Sequence, residues 1–162
     1  MRNYFQGNKE YPHHLSIGAV LRNGKGEIAA HYFKHFRHTS IGEFENFYLL
    51  MRETPEPGEA IETTLKRGLQ EEFGATGNIV EYLGPIVANF PKGNTLIEKT
   101  TLYFLCDLIS IDESLRAKDD PESVSEIRFL PPHVLIAAMK EQGLRINRED
   151  LDESAILERF SE

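Results

Sequence analysis

Two adjacent glutamates, Glu71 and Glu72, follow closely on Arg67 and on the acidic loop residues Glu56 and Glu59. Neighbouring carboxylates repel each other and lose solvation at the margin of a core, unless a cation lies between them. Hard cations such as Mg²⁺ and Mn²⁺ prefer oxygen ligands of this kind. These residue types therefore predict a site for a metal ion, which could bind phosphate oxygens. A glutamate-rich helix face exposed to water is the alternative.

The element that would carry these acids is a helix over residues 60–73. Its apolar residues recur every four positions, at Ile61, Leu65, Leu69 and Phe73. On a helical wheel Glu72 falls at the margin of this apolar arc, so we expect it to be partly buried. Glu71 lies on the other side of Gly68, so we expect it to be partly exposed. Gly68 is unexpected, because glycine inside a helix costs about 1 kcal/mol relative to alanine. Either another segment approaches the backbone there or an expected side chain is missing.

The surrounding sequence predicts strands on both sides of this helix. HLSIGAVLR, NGKG and EIAAHYF predict a hairpin, FENFYLLM a further strand and RETPEPGE a loop. NIVEYLGPIVANF predicts one or two strands, and IEKTTLYFLCDL a strand with alternate residues on one face: Leu102, Phe104, Cys106 and Leu108. VSEIRFL predicts a short strand, and PHVLIAAMKEQG and REDLDESAILERF predict two helices. This order favours an α+β fold or an α/β/α sandwich with a mixed sheet. It does not favour a doubly wound nucleotide-binding fold, and the glycine-rich phosphate-loop motifs are missing from the sequence.

Composition narrows the function classes. The 162 residues suit a single domain, and the net charge of −8 argues against general binding of nucleic acid. Cys106 is the single cysteine and stands in an apolar run, so we expect a buried thiol, no internal disulfide and a cytoplasmic protein. No apolar run is long enough to span a membrane, and the first residues lack a signal peptide's apolar core. A homodimer paired through the first strands stays open.

The segment 53–75 resembles the Nudix box, G-x5-E-x7-R-E-U-x-E-E-x-G-U with U aliphatic. The positions that match are Glu59, Arg67, Leu69, Glu71, Glu72, Gly74 and Ala75. Two positions depart from the pattern: Glu53 stands where the motif opens with glycine, and Gly68 stands where an acid follows the arginine. The layout of strands around a loop and helix agrees with the family over most of the chain.

The resemblance implies a Nudix-like α/β/α sandwich and hydrolysis of a nucleoside diphosphate linked to another moiety. Glu71 and Glu72 would hold Mg²⁺ or Mn²⁺, and Arg67 would orient the acids by pairing with Glu59. Gly68 then looks like a missing metal-binding carboxylate, so a catalytically weak or inactive domain that binds a nucleotide or a protein is the alternative. A scaffold without a nucleotide site is a third hypothesis. The general base would come from another loop, with three candidates: Glu98, Glu122 and Glu126.

Basic and aromatic residues outside the motif suggest how a substrate would be held. Arg37, Arg52 and Lys99 are the predicted substrate-binding residues, and nucleoside or dinucleoside polyphosphates are favoured because no sugar-binding motif is visible. The run HYFKHFRH, with His31, His35 and His38, is weighed as a zinc site, a substrate wall or an aromatic edge strand. Without a cysteine nearby, zinc is the least favoured of the three.

Overall fold

The computed structural model describes residues 1–38, 42–119 and 124–160. The strands are β1 (His13–Arg22), β2 (Ile28–His38), β3 (Gly42–Leu49), β4 (Met51–Glu53), β5 (Ala75–Lys92), β6 (Thr95–Ile111) and β7 (Glu126–Leu130). The α-helices are α1 (Ile61–Phe73), α2 (Pro132–Ile146) and α3 (Ser154–Phe160), and short 3-10 turns lie at Glu113–Leu115 and Glu149–Leu151.

The strands within these ranges form one mixed sheet with the order β3-β2-β1-β6-β5. The short strand β4 pairs with β1, and β7 pairs with β2, beside this path. β1 and β6 run parallel, in register from His13 opposite Glu98 to Arg22 opposite Asp107. The other pairs are antiparallel, so the predicted mixed sheet is confirmed.

The sheet separates two hydrophobic cores because successive side chains of a strand point to opposite faces. On one face α1 packs on the sheet through a buried cluster: Ile17, Ala19, Leu21, Met51, Leu65, Leu69, Phe73 and Cys106. On the other face α2 and α3 cover a second cluster: Val20, Ile28, Leu105, Leu135, Met139 and Ile156. The protein is therefore an α/β/α sandwich, as predicted. Burial raises the pKa of the Cys106 thiol to about 12, as expected of a core residue and not of a nucleophile.

Helix α1 begins one residue after the predicted start and ends where predicted. Leu65, Leu69 and Phe73 are buried, but Ile61 in the first turn is largely exposed, so the expected apolar face is one turn too long. Gly74 ends the helix with a left-handed backbone at φ 64°, and its N–H is bonded to the carbonyl oxygens of Gln70 and Leu69. This fixes the direction in which the chain leaves α1 and enters β5.

Most other elements agree with the sequence-based predictions. The hairpin and the alternating strand β6 are confirmed, and NIVEYLGPIVANF lies in one long strand, β5. The final helix predicted over REDLDESAILERF is wrong in extent, because the chain forms a 3-10 turn and then α3. The break has a local cause: the Asp152 carboxylate accepts a hydrogen bond from the backbone N–H of Ser154 and so starts a new helix. Across the part of the chain described, no helix is long and apolar enough to cross a membrane.

Candidate active site

Arg67 on α1 is the centre of a group of carboxylates. Its guanidinium donates two hydrogen bonds of 2.9 Å to Glu59, from Nε to Oε2 and from Nη2 to Oε1. Nη2 also donates to the backbone oxygen of Thr54 at 3.0 Å. Nη1 lies 3.3 Å from Oε2 of Glu71 and 3.3 Å from Oε1 of Glu53. Arg67 therefore joins the loop before α1 to the helix itself, and the predicted pair with Glu59 is confirmed.

Glu59 is the most strongly held acid of this group. Its side chain is 10 % exposed and accepts hydrogen bonds from Arg67, from the Thr64 hydroxyl at 2.6 Å and from the Glu56 backbone N–H at 3.2 Å. The hydrogen bond from Arg67 is the main reason that the pKa of Glu59 falls to about 2. Glu59 is thus ionised at neutral pH and fixes the loop at residues 54–60 against the helix.

We expect the pair of Glu59 and Arg67 to make stability depend on acid pH. Because the folded-state pKa of Glu59 lies below its ordinary value of 4.5, its contribution is present above about pH 4.5 and is lost toward about pH 2. The free energy of unfolding measured in urea should therefore fall by about 1–2 kcal/mol over that interval, a value reduced for solvent screening. The Glu59→Gln variant should show a shallower pH dependence, and equal slopes for the two proteins would contradict the expectation.

Glu72 lies on the other side of α1 and is only 3 % exposed. His31 of β2 contacts it, with Nε2 at 2.9 Å from Oε1, and the other ring nitrogen, Nδ1, lies 2.6 Å from the Ser125 hydroxyl. The pKa of His31 is lowered to about 3, mainly because the ring is buried and secondly because of the charge of Arg116. The ring is therefore neutral at pH 7. In the neutral tautomer that this network favours, Nε2–H donates to Glu72 and Ser125 donates to Nδ1.

Arg116 completes this buried network. It donates to the backbone oxygen of Glu72 at 2.7 Å, and to the backbone oxygen and the hydroxyl of Ser125, both at 2.8 Å. The end of α1 is thereby tied to the segment that follows β6. Glu71 differs from Glu72, because its side chain is 40 % exposed. The expected contrast between a buried Glu72 and a partly exposed Glu71 is confirmed.

Two of the predicted substrate-binding residues line a narrow cleft on the opposite face of the sheet. Arg52 lies between Met51 and Glu53 in β4 and so points away from α1. Its Nη1 donates to the backbone oxygen of Asp150 at 3.3 Å. Lys99 lines the same cleft.

His14 lies beside this cleft and is buried. Burial first, and then the charges of Lys99, Lys92 and Arg52, lower the pKa of His14 to about 4. The histidine is therefore neutral at pH 7, and the positive charge of the cleft comes from lysine and arginine.

Thr54 lies between His14 and the carboxylates around Arg67. Its hydroxyl lies 3.1 Å from Nε2 of His14, on the side of the cleft, while its backbone oxygen accepts the hydrogen bond from Arg67. One residue thus contacts both His14 and Arg67 where β4 ends. The cleft itself is lined by two acids as well as by two of the basic residues: Asp150, Glu153, Arg52 and Lys99.

The other predicted site residues lie elsewhere. Arg37 is exposed and bonds Glu43 across the pairing of β2 with β3, six residues along β2 from His31. Glu98 begins the part of β6 that pairs with β1, and Glu126 bonds Arg128 at 3.2 Å. Glu122 lies outside the described residues. These assignments stay predictions.

The histidine run does not gather into a zinc site within the described side chains. His31 is committed to Glu72 and Ser125, and His35 is exposed beside Glu45. The aromatic residues of the run pack with those of β3 into a third small core: Phe33, Phe36, Phe44 and Phe47. The run therefore forms one strand of an aromatic pair, β2 with β3.

A divalent ion suits the donor chemistry of the site. Among the residues described, no three His, Cys, Asp or Glu side chains are arranged as a complete metal cage. Mg²⁺ does not require one, because it commonly binds one or two carboxylates together with water and substrate phosphates. The acids around Arg67 offer only carboxylate oxygens, which are ligands of that type.

The contacts of Glu72 were not predicted from the sequence. The alternation of Ala29, His31 and Phe33 in β2 does carry a signal, because it places His31 on the same buried face as its apolar neighbours. Arg116 and Ser125 carry no comparable local signal. They are separated from Glu72 by 44 and 53 positions, and only the fold brings them together.

Known proteins resemble this chain both in sequence pattern and in fold. A family model of the NUDIX domain matches residues 12–150. No curated protein matches significantly. A solved NUDIX hydrolase from Nitrosomonas europaea is 13 % identical, with a TM-score of 0.59 over 82 % of this chain and 86 % of that chain.

Two further solved structures resemble the chain. The solution structure of the E. coli ORF135 protein has a TM-score of 0.55 at 14 % identity, covering 91 % of this chain and 87 % of that one. The MutT protein from Methanosarcina mazei Go1 has a TM-score of 0.52 at 20 % identity, covering 88 % and 99 %. At these identities the likeness shows the fold, whereas the family model covers most of the sequence. The chain therefore belongs to the Nudix family of pyrophosphohydrolases, which act on nucleoside diphosphate derivatives and generally use a divalent metal ion.

Proposed function

We propose that this protein hydrolyses a pyrophosphate bond in nucleoside or dinucleoside polyphosphates with the help of Mg²⁺. The observation that carries the proposal is the position of Thr54, whose backbone oxygen accepts a hydrogen bond from Arg67 and whose hydroxyl contacts His14. A cluster of carboxylates suited to a divalent ion lies on one side of Thr54. Positive charges lie near His14 on the other side: Lys99, Lys92 and Arg52. A chain of several phosphates would span this junction, whereas a single phosphate would not.

In this proposal Glu71 and Glu72 hold the ion. The carboxylate of Glu71 reaches the surface beside Arg67, and that of Glu72 adds negative charge from the buried side, where His31 fixes it. A bound Mg²⁺ would polarise the phosphate oxygens and lower the pKa of an attacking water. Arg67 keeps the acids in place through its bonds to Glu59 and to the loop.

A carboxylate must also take the proton of the attacking water. Of the three candidates we favour Glu98. It is separated from Leu102 by an even number of positions in β6, so it lies on the α1 side of the sheet. Glu53 lies on the same side. Glu98 bears a half-exposed carboxylate 3.6 Å from Nδ1 of His13, so solvent reaches it.

Arg52 and Lys99 are proposed to bind the phosphates that are not cleaved. Arg52 is only 16 % exposed, and its Nε lies 3.9 Å from Oε2 of the buried Glu153. A cation fixed in this way loses little conformational freedom when it binds an anion. The proximity of Lys99, Lys92 and Arg52 to His14 places several positive charges at this end of the sheet.

A hydrolysis screen of the unmodified protein tests the proposal. Nucleoside triphosphates, dinucleoside polyphosphates, nucleotide sugars, ADP-ribose and capped RNA would each be incubated with Mg²⁺ or Mn²⁺, and release of phosphate and nucleotide would be measured. We expect polyphosphate substrates to be cleaved fastest and a chelator to stop the reaction. Faster cleavage of nucleotide sugars or ADP-ribose would overturn the substrate class. Tight nucleotide binding without turnover would support the binding-domain alternative.

A further inference from the structure

The two positions that depart from the Nudix box touch each other. Glu53 is the last residue of β4, and Gly68 lies in the middle of α1, which packs against β4. A Cβ atom placed on Gly68 would lie 2.9 Å from the Cβ of Glu53 and 2.8 Å from the Sδ of Met51. Such distances are too short for non-bonded carbon atoms. The side chain of Glu53 therefore occupies the space that a side chain at position 68 would need.

The carboxylate of Glu53 is directed to the same point as that of Glu71. Oε1 of Glu53 and Oε2 of Glu71 each lie 3.3 Å from one nitrogen, Nη1 of Arg67. The backbone N–H of Thr54 also donates to Oε1 of Glu53, at 3.2 Å. Since the Glu53 side chain is 18 % exposed, it lies at the edge of the site and not in open solvent. Two carboxylates from different elements thus converge on one cationic group.

We propose that Glu53 replaces the carboxylate that Gly68 lacks, as a ligand of the divalent ion of this site. The inference rests on the proposed function, because it assumes that such an ion binds beside Glu71. Compared with the Nudix box, this chain has the acid in strand β4 instead of helix α1, and the glycine in helix α1 instead of at position 53. Glu53 then adds its carboxylate to those of Glu71 and Glu72, and water and phosphate would complete the coordination of Mg²⁺.

A purely structural role for Glu53 makes a different prediction. If Glu53 only balances the charge of Arg67, a glutamine at position 53 should lower stability slightly and leave metal binding unchanged. If Glu53 is a ligand, the same substitution should weaken metal binding while the protein remains folded. Metal affinity therefore separates the two roles, and it does so without any measurement of turnover.

Calorimetric titration of the full chain with Mn²⁺, alone and with α,β-methylene-ATP, provides the test. We expect Glu53→Gln to raise the Kd for Mn²⁺ about tenfold or more, as Glu71→Gln should, because each removes one charged ligand. Glu62→Gln on the exposed face of α1 serves as the control and should bind Mn²⁺ as the unmodified protein does. Circular dichroism would verify that each variant is folded.

The outcomes distinguish this inference from the proposed function. If Glu71→Gln weakens Mn²⁺ binding and Glu53→Gln does not, Glu53 is not a ligand, while the proposed function stands. If the unmodified protein takes up no Mn²⁺ under either condition, the proposed function itself fails and the inference fails with it.

A reciprocal exchange gives a second test. Gly68→Glu alone should destabilise the fold, because its Cβ would overlap with Glu53. The double variant Glu53→Gly with Gly68→Glu removes the overlap with the Glu53 Cβ, leaves only the flexible end of the Met51 side chain to shift, and returns the acid to the helix. We expect it to bind Mn²⁺ within about threefold of the unmodified protein, since the number of charged ligands is restored. Binding as weak as that of Glu53→Gly alone would overturn the exchange.

Discussion

Replacing Glu71 by glutamine is expected to lower kcat/KM by about 100-fold or more, because it removes a charge that would hold the ion on which the phosphates react. The fold should survive. Glu71 is partly exposed, and its one hydrogen bond to Arg67 is a long contact of 3.3 Å that glutamine can replace. We therefore expect a change of less than about 1 kcal/mol in the free energy of unfolding. Steady-state hydrolysis of the best substrate and urea unfolding of the same preparation would measure both quantities.

Glu62→Gln is the matched control for this experiment. Glu62 belongs to the same helix and loses the same charge on substitution, but it pairs with Lys66 on the exposed face, where both side chains are more than 60 % accessible. Its substitution should leave kcat/KM within about twofold, because exposed ion pairs of this kind contribute little. An unchanged kcat/KM in Glu71→Gln, or an equal loss in both variants, would exclude the proposed role of Glu71.

Gly74→Ala is expected to cause the largest loss of stability among the substitutions considered. Gly74 has a φ of 64°, and a Cβ atom there would lie 2.0 Å from the backbone oxygen of Asp112. The left-handed conformation alone costs a non-glycine residue about 1 kcal/mol, and the overlap with a backbone atom forces the chain to move. Thermal and urea unfolding should show a total loss of about 2–4 kcal/mol.

Gly93→Ala separates the two contributions. Gly93 has nearly the same φ, 61°, but no atom lies within 4 Å of the place where its Cβ would be. Its substitution should cost only the conformational part, about 1 kcal/mol. If both variants were destabilised equally, the overlap with Asp112 would carry no weight. The final glycine of the motif is thus explained by packing between the end of α1 and the end of β6, and not by chemistry.

The site could be predicted from the sequence where its residues share one segment. Glu59, Arg67, Glu71 and Glu72 lie within 14 consecutive positions, and helical spacing determines which of them face each other. The burial of Glu72 follows from that helical geometry, whereas the pair of Arg67 with Glu59 was implied by the resemblance to the Nudix box; both are confirmed.

Contacts between distant segments could not be predicted from the sequence in this way. The sequence raised two explanations of Gly68, a close approach of another segment or a missing side chain, and it could not identify Glu53 as the neighbour. Their proximity depends on how β4 pairs with β1 and on how α1 lies over that pair. Arg52 and Glu53 were predicted to lie in a loop, so the sequence did not reveal that they belong to strand β4 and point to opposite faces of the sheet.

The parallel pairing of β1 with β6 has a consequence for how the chain folds. β1 lies at the centre of the sheet, and its ladder with β6 joins residues about 85 positions apart, as in His13 opposite Glu98. Closing so long a loop costs conformational entropy before any contact rewards it, so a topology of high contact order folds slowly. On a ribosome β1 would leave the exit tunnel long before its partner is synthesised. Cooperative closure of the central sheet must therefore await synthesis of β6, about 85 positions after β1.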